Sequence, residues 1–482
     1  MGREIMADYR QKSRNNETGP SLNLLFNPKS IAIVGASNDL SRIGGLSIQF
    51  LQQHGYPGRI FPVNSKYREV FCLRCFPTLS SIPDPVDLVL VGIPRQHVFD
   101  AFKECADKRI PFITLFSAGY AEMSEAGRRE QEELLRLSRQ ARIRVLGPNC
   151  IGFISPHESV AASFMSGLEM PRLITGSIAL ITQSGGVGNS LLTMAAEHSI
   201  GFSYLISTGN ELDLEVSDFI EHFIADSKTK TIAILIEGLK DPTRFARAAD
   251  KAMRENKPIV ALKLGRSDIG RKAAASHTGS MAGIDAVYGG LFKQKGICQV
   301  SDLDELLGVA NLFALHRAPN GNRVAILSSS GGVGALMADL AANSGLCLPS
   351  PSGLTRDHLR DLSPALASIA NPMDLTTQFM NDDETIVRYL QVFAEDKNFD
   401  FLILVLTLSA SGKMARVAER IAALAPSLSK PMAVCWPVGA LDRQCFRLLE
   451  NAGIPLFFQP ARCMSAVGHF VRYGMFHRDR HI

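Results

Sequence analysis

Nine short runs of apolar, largely β-branched residues recur between residues 30 and 407, each ending in a small-residue turn and followed by an amphipathic stretch. This alternation confines the chain to a parallel α/β architecture, in which each strand is joined to the next by a crossover. The runs are SIAIVGAS (30–37), RIFPVN (59–64), DLVLVGIP (87–94), FITLFSAG (112–119), SIALITQ (177–183), TIAILIEG (231–238), IVALKLG (259–265), VAILSS (324–329) and FLILVLT (401–407). They are apolar throughout and do not alternate, which is the pattern a sheet covered on both faces requires.

An internal repeat sets the number of units. LITQSGGVGNSLLTMAAEHSI (180–200) aligns without gaps on ILSSSGGVGALMADLAANSGL (326–346), and each reads as strand, glycine turn and helix. The correspondence continues with Asn210-Glu211-Leu212-Asp213-Leu214 against Asn371-Pro372-Met373-Asp374-Leu375, and with Lys257-Pro258 against Lys430-Pro431. Two copies of one open-sheet domain therefore follow a first, different domain. The expected division is a disordered tail over 1–22, a first domain over 23–160, a second over 170–318 and a third over 321–476. SPHESV and MSGLEMPRLITG read as linker between the first two, and HRAPNGN between the last two.

Composition excludes several classes. At 482 residues, 46% of them hydrophobic and 20% charged, the chain can bury more than one core. A formal charge of +4 over 51 basic and 47 acidic residues offers no argument for nucleic acid. The opening MGREIMADYRQKSRNNETGP lacks a signal core, and no run reaches the ~18 apolar residues that span a bilayer. A cytoplasmic protein without membrane attachment is expected. Nine scattered cysteines read as reduced thiols, and Cys72 and Cys75 lack the further ligands of a zinc site, so no metal is expected on this chain.

The turn after the first run, Gly35-Ala36-Ser37-Asn38-Asp39-Leu40-Ser41-Arg42-Ile43-Gly44-Gly45, is of dinucleotide-binding type without the strict glycine spacing. Small residues opening a helix present backbone N–H groups and the positive end of the helix dipole to a phosphate. A nicotinamide site would carry an acid at the end of the second strand, about 20 residues past the glycines. Here that strand ends in Pro62-Val63-Asn64-Ser65-Lys66, which argues for a phosphate-bearing nucleotide of another kind, although an exposed lysine is also an ordinary surface residue. Ile93-Pro94, Ser117-Ala118-Gly119-Tyr120-Ala121-Glu122 and Gly147-Pro148-Asn149-Cys150-Ile151-Gly152 close later strands and should line the same crevice.

Taken in order, VGAS (34–37), PVNSK (62–66), SAGYAE (117–122), GPNCIG (147–152), TQSGG (182–186), STGNELDL (207–214), IEG (236–238) and SHTGSMAG (276–283) resemble the α subunit of ADP-forming acyl-CoA synthetases, the group that includes succinyl-CoA synthetase. The resemblance runs from about residue 22 to the end of the chain. Ser65 departs from it, since the family usually has Pro after Val-Asn. It implies a Rossmann-like CoA-binding domain followed by two flavodoxin-like domains. It also implies an ATP-grasp β subunit on a separate chain, with ATP, ADP and Mg2+ held there, and hence a hetero-oligomer.

His277 lies among small residues, Ala273-Ala274-Ala275-Ser276-His277-Thr278-Gly279-Ser280, and a neutral imidazole is a competent nucleophile at phosphorus near pH 7. The resemblance makes His277 the phosphorylated histidine and Glu237 the acid that orients it. By itself Glu237 is an acid closing an apolar strand, which suits either a crevice or a solvated turn. Ser184, Gly185 and Gly186 open a helix N-terminus suited to a phosphoryl group, or they serve close helix packing. CoA contacts are expected from Gly35, Ser37, Asn64, Lys66, Pro94, Ser117, Ala118, Gly119 and Asn149. In the second copy Thr407 stands near the place of Glu237 and no histidine matches His277, so residues 322–476 are expected to act as scaffold or interface. An esterase is excluded because Thr182 occupies the first glycine of GxSxG. A non-catalytic CoA-binding regulator and a nicotinamide-dependent oxidoreductase are the competing classes.

Overall fold

The computed structural model describes residues 20–272, 285–362, 369–375, 383–409, 412–438 and 443–480. All nine apolar runs form strands. The first unit contains β1 (Ser30–Val34), β2 (Arg59–Val63), a small hairpin of β3 (Glu69–Val70) and β4 (Leu73–Arg74), then β5 (Leu88–Val91), β6 (Phe112–Leu115) and β7 (Arg144–Leu146). Its five-stranded sheet has the order β2-β1-β5-β6-β7, and every pairing is parallel.

The second sheet is built from β8 (Gly152–Ser155), β9 (Val160–Ser163), β10 (Thr175–Thr182), β11 (Phe202–Ser207), β12 (Thr231–Ile236), β13 (Ile259–Lys263) and β14 (Cys298–Val300). It runs β14-β13-β12-β10-β11-β8-β9, parallel except at β8 and β9. The third contains β15 (Val324–Ser328), β16 (Met373–Asp374), β17 (Phe401–Val405), β18 (Met432–Cys435) and β19 (Leu456–Phe457), in the order β16-β15-β17-β18-β19. Counted within each sheet, the parallel strands follow one pattern: second, first, third, fourth, fifth. This doubly wound order places a crevice where the chain reverses direction beside the first strand, at the carboxyl ends of β1 and β5, of β10 and β12, and of β15 and β17.

Two expectations from the sequence differ from the structure. Residues 152–163, read as the end of the first domain and a linker, form an antiparallel hairpin that continues the second sheet. Phe153 and Ile154 pair with Ile206 and Leu205, so the hairpin covers an otherwise open edge, and its residues 152–155 and 160–163 are buried on both strands. The polar turn Pro156–Glu158 separates the two four-residue strands. The repeat also shifts register after its helix. β10 pairs Thr182 with Ser207, whereas β15 pairs Ser328 with Asp374, so Asp374 takes the place of Ser207 and not of Asp213. The lysine correspondence does hold. Lys257 Nζ donates to the carbonyls of Asp226 and Thr229, and Lys430 Nζ to that of Asp396, each tying the start of one strand to the preceding connection.

Helices cover both faces of each sheet, and one apolar core continues from the second sheet into the third. Phe313 of the helix Leu303–Leu315 lies 5.1 Å from Phe470 and 5.1 Å from Tyr473 of the terminal helix Pro460–Arg480. The first and second sheets meet through a second core containing Phe26, Phe153, Tyr204 and Phe219. Burying each such ring is worth about 1.5–3 kcal/mol. These continuous cores hold the strand ends of the first two sheets in one place.

Candidate functional site

β10 ends at Thr182, and the helix Gly185–Glu197 begins just beyond it. The tight turn is locked by the Thr182 hydroxyl, which donates to the Ser184 carbonyl (2.8 Å) and accepts from the Ser184 N–H (3.1 Å). Ser184 is the residue before the helix, in extended conformation, and its hydroxyl does not cap the helix. The glycines divide by role. A Cβ on Gly185 would lie 2.7 Å from Ile151 Cγ2, and one on Gly188 would lie 2.8 Å from Thr182 Cγ2, so both serve close packing. Gly186 faces open space: a Cβ there would meet nothing within 4 Å. The first turn of this 13-residue helix therefore lies open at Gly186, and the N–H groups of a helix N-terminus suit an anion.

Across the crevice, Glu237 follows β12 directly and is half-buried. Gln183 joins the two strand ends. Its backbone N–H donates to the Leu235 carbonyl (3.2 Å), and its side-chain oxygen accepts from the Glu237 N–H (2.6 Å) and the Gly238 N–H (3.1 Å). Its amide nitrogen donates to the Gly238 carbonyl (2.8 Å) and to Glu211 Oε1 (3.0 Å). Glu211 is 3% exposed and has φ +54°, and its carboxylate also accepts from the Thr208 hydroxyl (2.9 Å). Burial raises the Glu211 carboxyl above its ordinary value, against the opposing pull of Lys240, Gln183 and Thr208. Lys240 Nζ donates to the Glu211 carbonyl.

On the next strand Lys263, paired in register with Ile236, is buried with its ammonium 4.9 Å above the Tyr288 ring and donates to the Leu264 carbonyl. Burial lowers its pKa, while Asp285 and Glu237 pull the other way. Gln183 and Glu211 lie inside the sequence motifs, yet nothing in those motifs marks a role for them, and Lys240 and Lys263 lie outside the motifs altogether. An acid in a Gly-Asn-Glu turn and a lysine closing an apolar strand are the signals by which sequence reasoning could find them.

The expected CoA-contacting residues gather at the carboxyl ends of the first sheet. Gly35 has φ +92°, and a Cβ there would lie 2.5 Å from the Gly92 carbonyl oxygen, so the turn after β1 can approach β5 only through glycine. Asn64 donates from its side chain to the Ala36 carbonyl (2.8 Å) and accepts the Lys66 N–H (3.0 Å), which ties the Ser37 turn to an exposed Lys66. Ser117 donates to the Ile93 carbonyl (2.5 Å), the residue before Pro94, and Ala118 follows it; the Arg95 guanidinium donates to the Gly119 carbonyl. Asn149 donates its N–H to the Ser117 carbonyl (3.0 Å) and its side-chain amide to Asn210 Oδ1 (3.3 Å). Asn210 precedes Glu211 and donates to Glu122 Oε2 (2.5 Å). A continuous chain of bonded groups thus runs from the first crevice through Asn149, Asn210, Glu211 and Gln183 to Glu237. Small residues and glycine-only approaches at the first crevice suit a phosphate-bearing nucleotide. His277 lies outside the described residues.

Residues 29–156 match the family model described as a CoA binding domain, and residues 175–313 match that of the succinyl-CoA ligase like flavodoxin domain. The α subunit of acetate–CoA ligase (ADP-forming) II from Pyrococcus furiosus is 34% identical over 449 residues, covering 92% of this chain and 96% of that one. The α subunit of isoform I from the same organism is 32% identical over 464 residues, with coverage of 94% and 98%. Dinucleotide forming acetyl-coenzyme A synthetase 1 of Ca. Korarchaeum cryptofilum, solved in complex with phosphate and ADP, superposes with a TM-score of 0.88 at 30% identity, covering 96% of this chain and 99% of that one. A CoA-binding unit followed by a succinyl-CoA ligase-like unit defines an acid–thiol ligase. The chain belongs to the α-subunit family of the ADP-forming acyl-CoA synthetases.

Proposed function

We propose that this chain binds CoA at the first crevice and, with an ATP-grasp β subunit on a separate chain, converts a carboxylic acid, CoA and ATP into acyl-CoA, ADP and phosphate. The observation that carries this reading is the second crevice, where Glu237 lies across from the open helix N-terminus at Ser184, Gly185 and Gly186. In the direction of ATP synthesis, phosphate held at that N-terminus attacks the acyl-CoA carbonyl and the CoA thiolate leaves, giving an acyl phosphate. The His277 imidazole then attacks phosphorus and the carboxylate departs. Glu237 accepts the hydrogen bond of the other ring nitrogen, which fixes the tautomer and stabilises the positive charge that develops on the ring. Phosphohistidine passes its phosphoryl group to ADP on the β subunit, where Mg2+ neutralises nucleotide charge. Acetate is the first acid to test, since it is named for the Pyrococcus furiosus relatives.

Incubation with acetyl-CoA and labelled phosphate tests the reading. Acid-labile, base-stable label on the wild-type chain and none on His277→Ala is the expected result. Equal label on both chains would overturn the assignment of His277.

A further inference from the structure

We infer that Gln183, backed by Glu211, is a positioning residue that fixes the strand end carrying Glu237 and so sets the direction of that carboxylate. The inference rests on the proposed pairing of Glu237 with His277, and it adds the unit that holds the acid in place.

Three observations converge on it. The Gln183 amide has all its main bonding capacity engaged, with two N–H groups donated into its oxygen and two acceptors on its nitrogen. Its orientation follows from these partners, because a flipped amide would set its NH2 group against the N–H donors of Glu237 and Gly238. Glu211 in turn is held from three sides, by Gln183, by the Thr208 hydroxyl and, at its carbonyl, by Lys240. A buried carboxyl oxygen that accepts from both the Gln183 amide and the Thr208 hydroxyl is a firm anchor for that amide.

The third sheet supplies the comparison. Ser329 occupies the place of Gln183: its N–H donates to the Val405 carbonyl (3.0 Å), as that of Gln183 does to Leu235. The turn itself is repeated bond for bond, with Ser328 donating to the Ser330 carbonyl (2.8 Å) and accepting the Ser330 N–H (3.2 Å). The bridge between strand ends is also repeated, since the Ser329 hydroxyl accepts the Thr407 N–H (2.9 Å) and lies 2.9 Å from Thr407 Oγ1. Where the crossing residue is Thr407, a serine hydroxyl suffices. Where it is Glu237, the bridge is a glutamine that also grips Gly238 and is anchored on a buried acid. By strand register Leu375, whose side chain has no hydroxyl, stands where Thr208 does. The larger bridge accompanies the acid, which points to precision of the Glu237 backbone as its purpose.

The test compares wild type, Glu237→Gln, Gln183→Leu, Gln183→Glu and the exchanged pair Gln183→Glu with Glu211→Gln. Each α chain is assembled with its β subunit, and melting temperature is recorded for each. The readouts are the rate of acid-labile labelling from acetyl-CoA and labelled phosphate, and the KM for CoA. Glu237→Gln and Gln183→Leu should each slow labelling at least tenfold and change the KM for CoA less than twofold. Gln183→Glu should be as slow, because it opposes two carboxylates. The exchanged pair restores an acceptor towards Glu237 and a donor between positions 183 and 211 but leaves the Gly238 carbonyl without its donor, so it should label faster than Gln183→Glu while staying slower than wild type. Gln183→Leu at the wild-type rate while Glu237→Gln is slow would overturn the positioning role alone, as would an exchanged pair no faster than Gln183→Glu. Glu237→Gln at the wild-type rate would remove the reading of Glu237 itself.

Discussion

Gly35 and Gly186 stand in two different crevices, each in the turn after a first strand, and they answer to opposite constraints. Gly35 is in the left-handed region and within 2.5 Å, measured from a Cβ, of a backbone oxygen. Gly35→Ala should therefore cost about 1–3 kcal/mol in backbone strain and close approach, and weaken CoA binding by opening the turn. Urea denaturation together with a CoA titration checks this, and unchanged CoA affinity would separate the turn from the ligand. At Gly186 a side chain meets nothing. Which glycine obeys which constraint is not legible in the sequence, because φ and the distance to a neighbouring strand depend on residues far along the chain. Glu237 is legible as an acid closing an apolar strand, whereas its bridge to Gln183 requires both strand ends to be seen side by side.

The helix Gly185–Glu197 carries an electrostatic prediction at the scale of one element. Gly186→Asp places a carboxylate in open space at the helix N-terminus, where it should stabilise the fold by about 0.3–1 kcal/mol through the helix dipole and the loss of a flexible glycine. The same charge should repel phosphate and raise its KM at least tenfold. A melting temperature that rises while phosphate affinity falls would identify the N-terminus as the anion site; an unchanged phosphate KM would remove it. The periodic pattern of the sequence makes this strand, turn and helix plain, together with its repeat at 326–346. It does not reveal the antiparallel hairpin of β8 and β9, since two four-residue strands around a polar turn carry too little pattern to stand out from a linker.

At the scale of the molecule, the junction of the first two sheets depends on buried charge. Arg144 of β7 reaches Asp213 (2.8 Å) and Asp218 (3.2 Å), and Arg244 joins Asp218, Glu215 and Glu221 within 2.8–3.2 Å. Arg144→Leu would leave Asp213 short of its main partner and should destabilise the chain by about 3–5 kcal/mol, which chemical denaturation can measure. Glu215 makes the same network sensitive to pH. Burial, with the charges of Glu211 and Asp218, pushes its carboxyl up to about 7 from an ordinary 4.5. The folded state then binds more protons than the unfolded state between those values. The stability contributed by this group is present in full below pH 4.5 and is lost as pH rises towards about 7. Glu215→Gln should flatten that part of the stability profile between pH 4.5 and about 7; an identical slope in both chains would place the proton elsewhere.

What the sequence determined by itself is what local pattern encodes: parallel sheets covered on both faces, a duplicated unit, and motifs in an order that resembles one enzyme family. Strand periodicity and turn chemistry act over a few residues, so they survive reading in one dimension. The tertiary structure alone decided that all three sheets share one strand order, that Asp374 stands opposite Ser328 in place of a partner for Asp213, and that Gln183 and Glu211 grip the strand end of Glu237. Those contacts join residues 28 to 54 positions apart. Their geometry comes from sheet register and from the shared cores, which no run of neighbouring residues specifies.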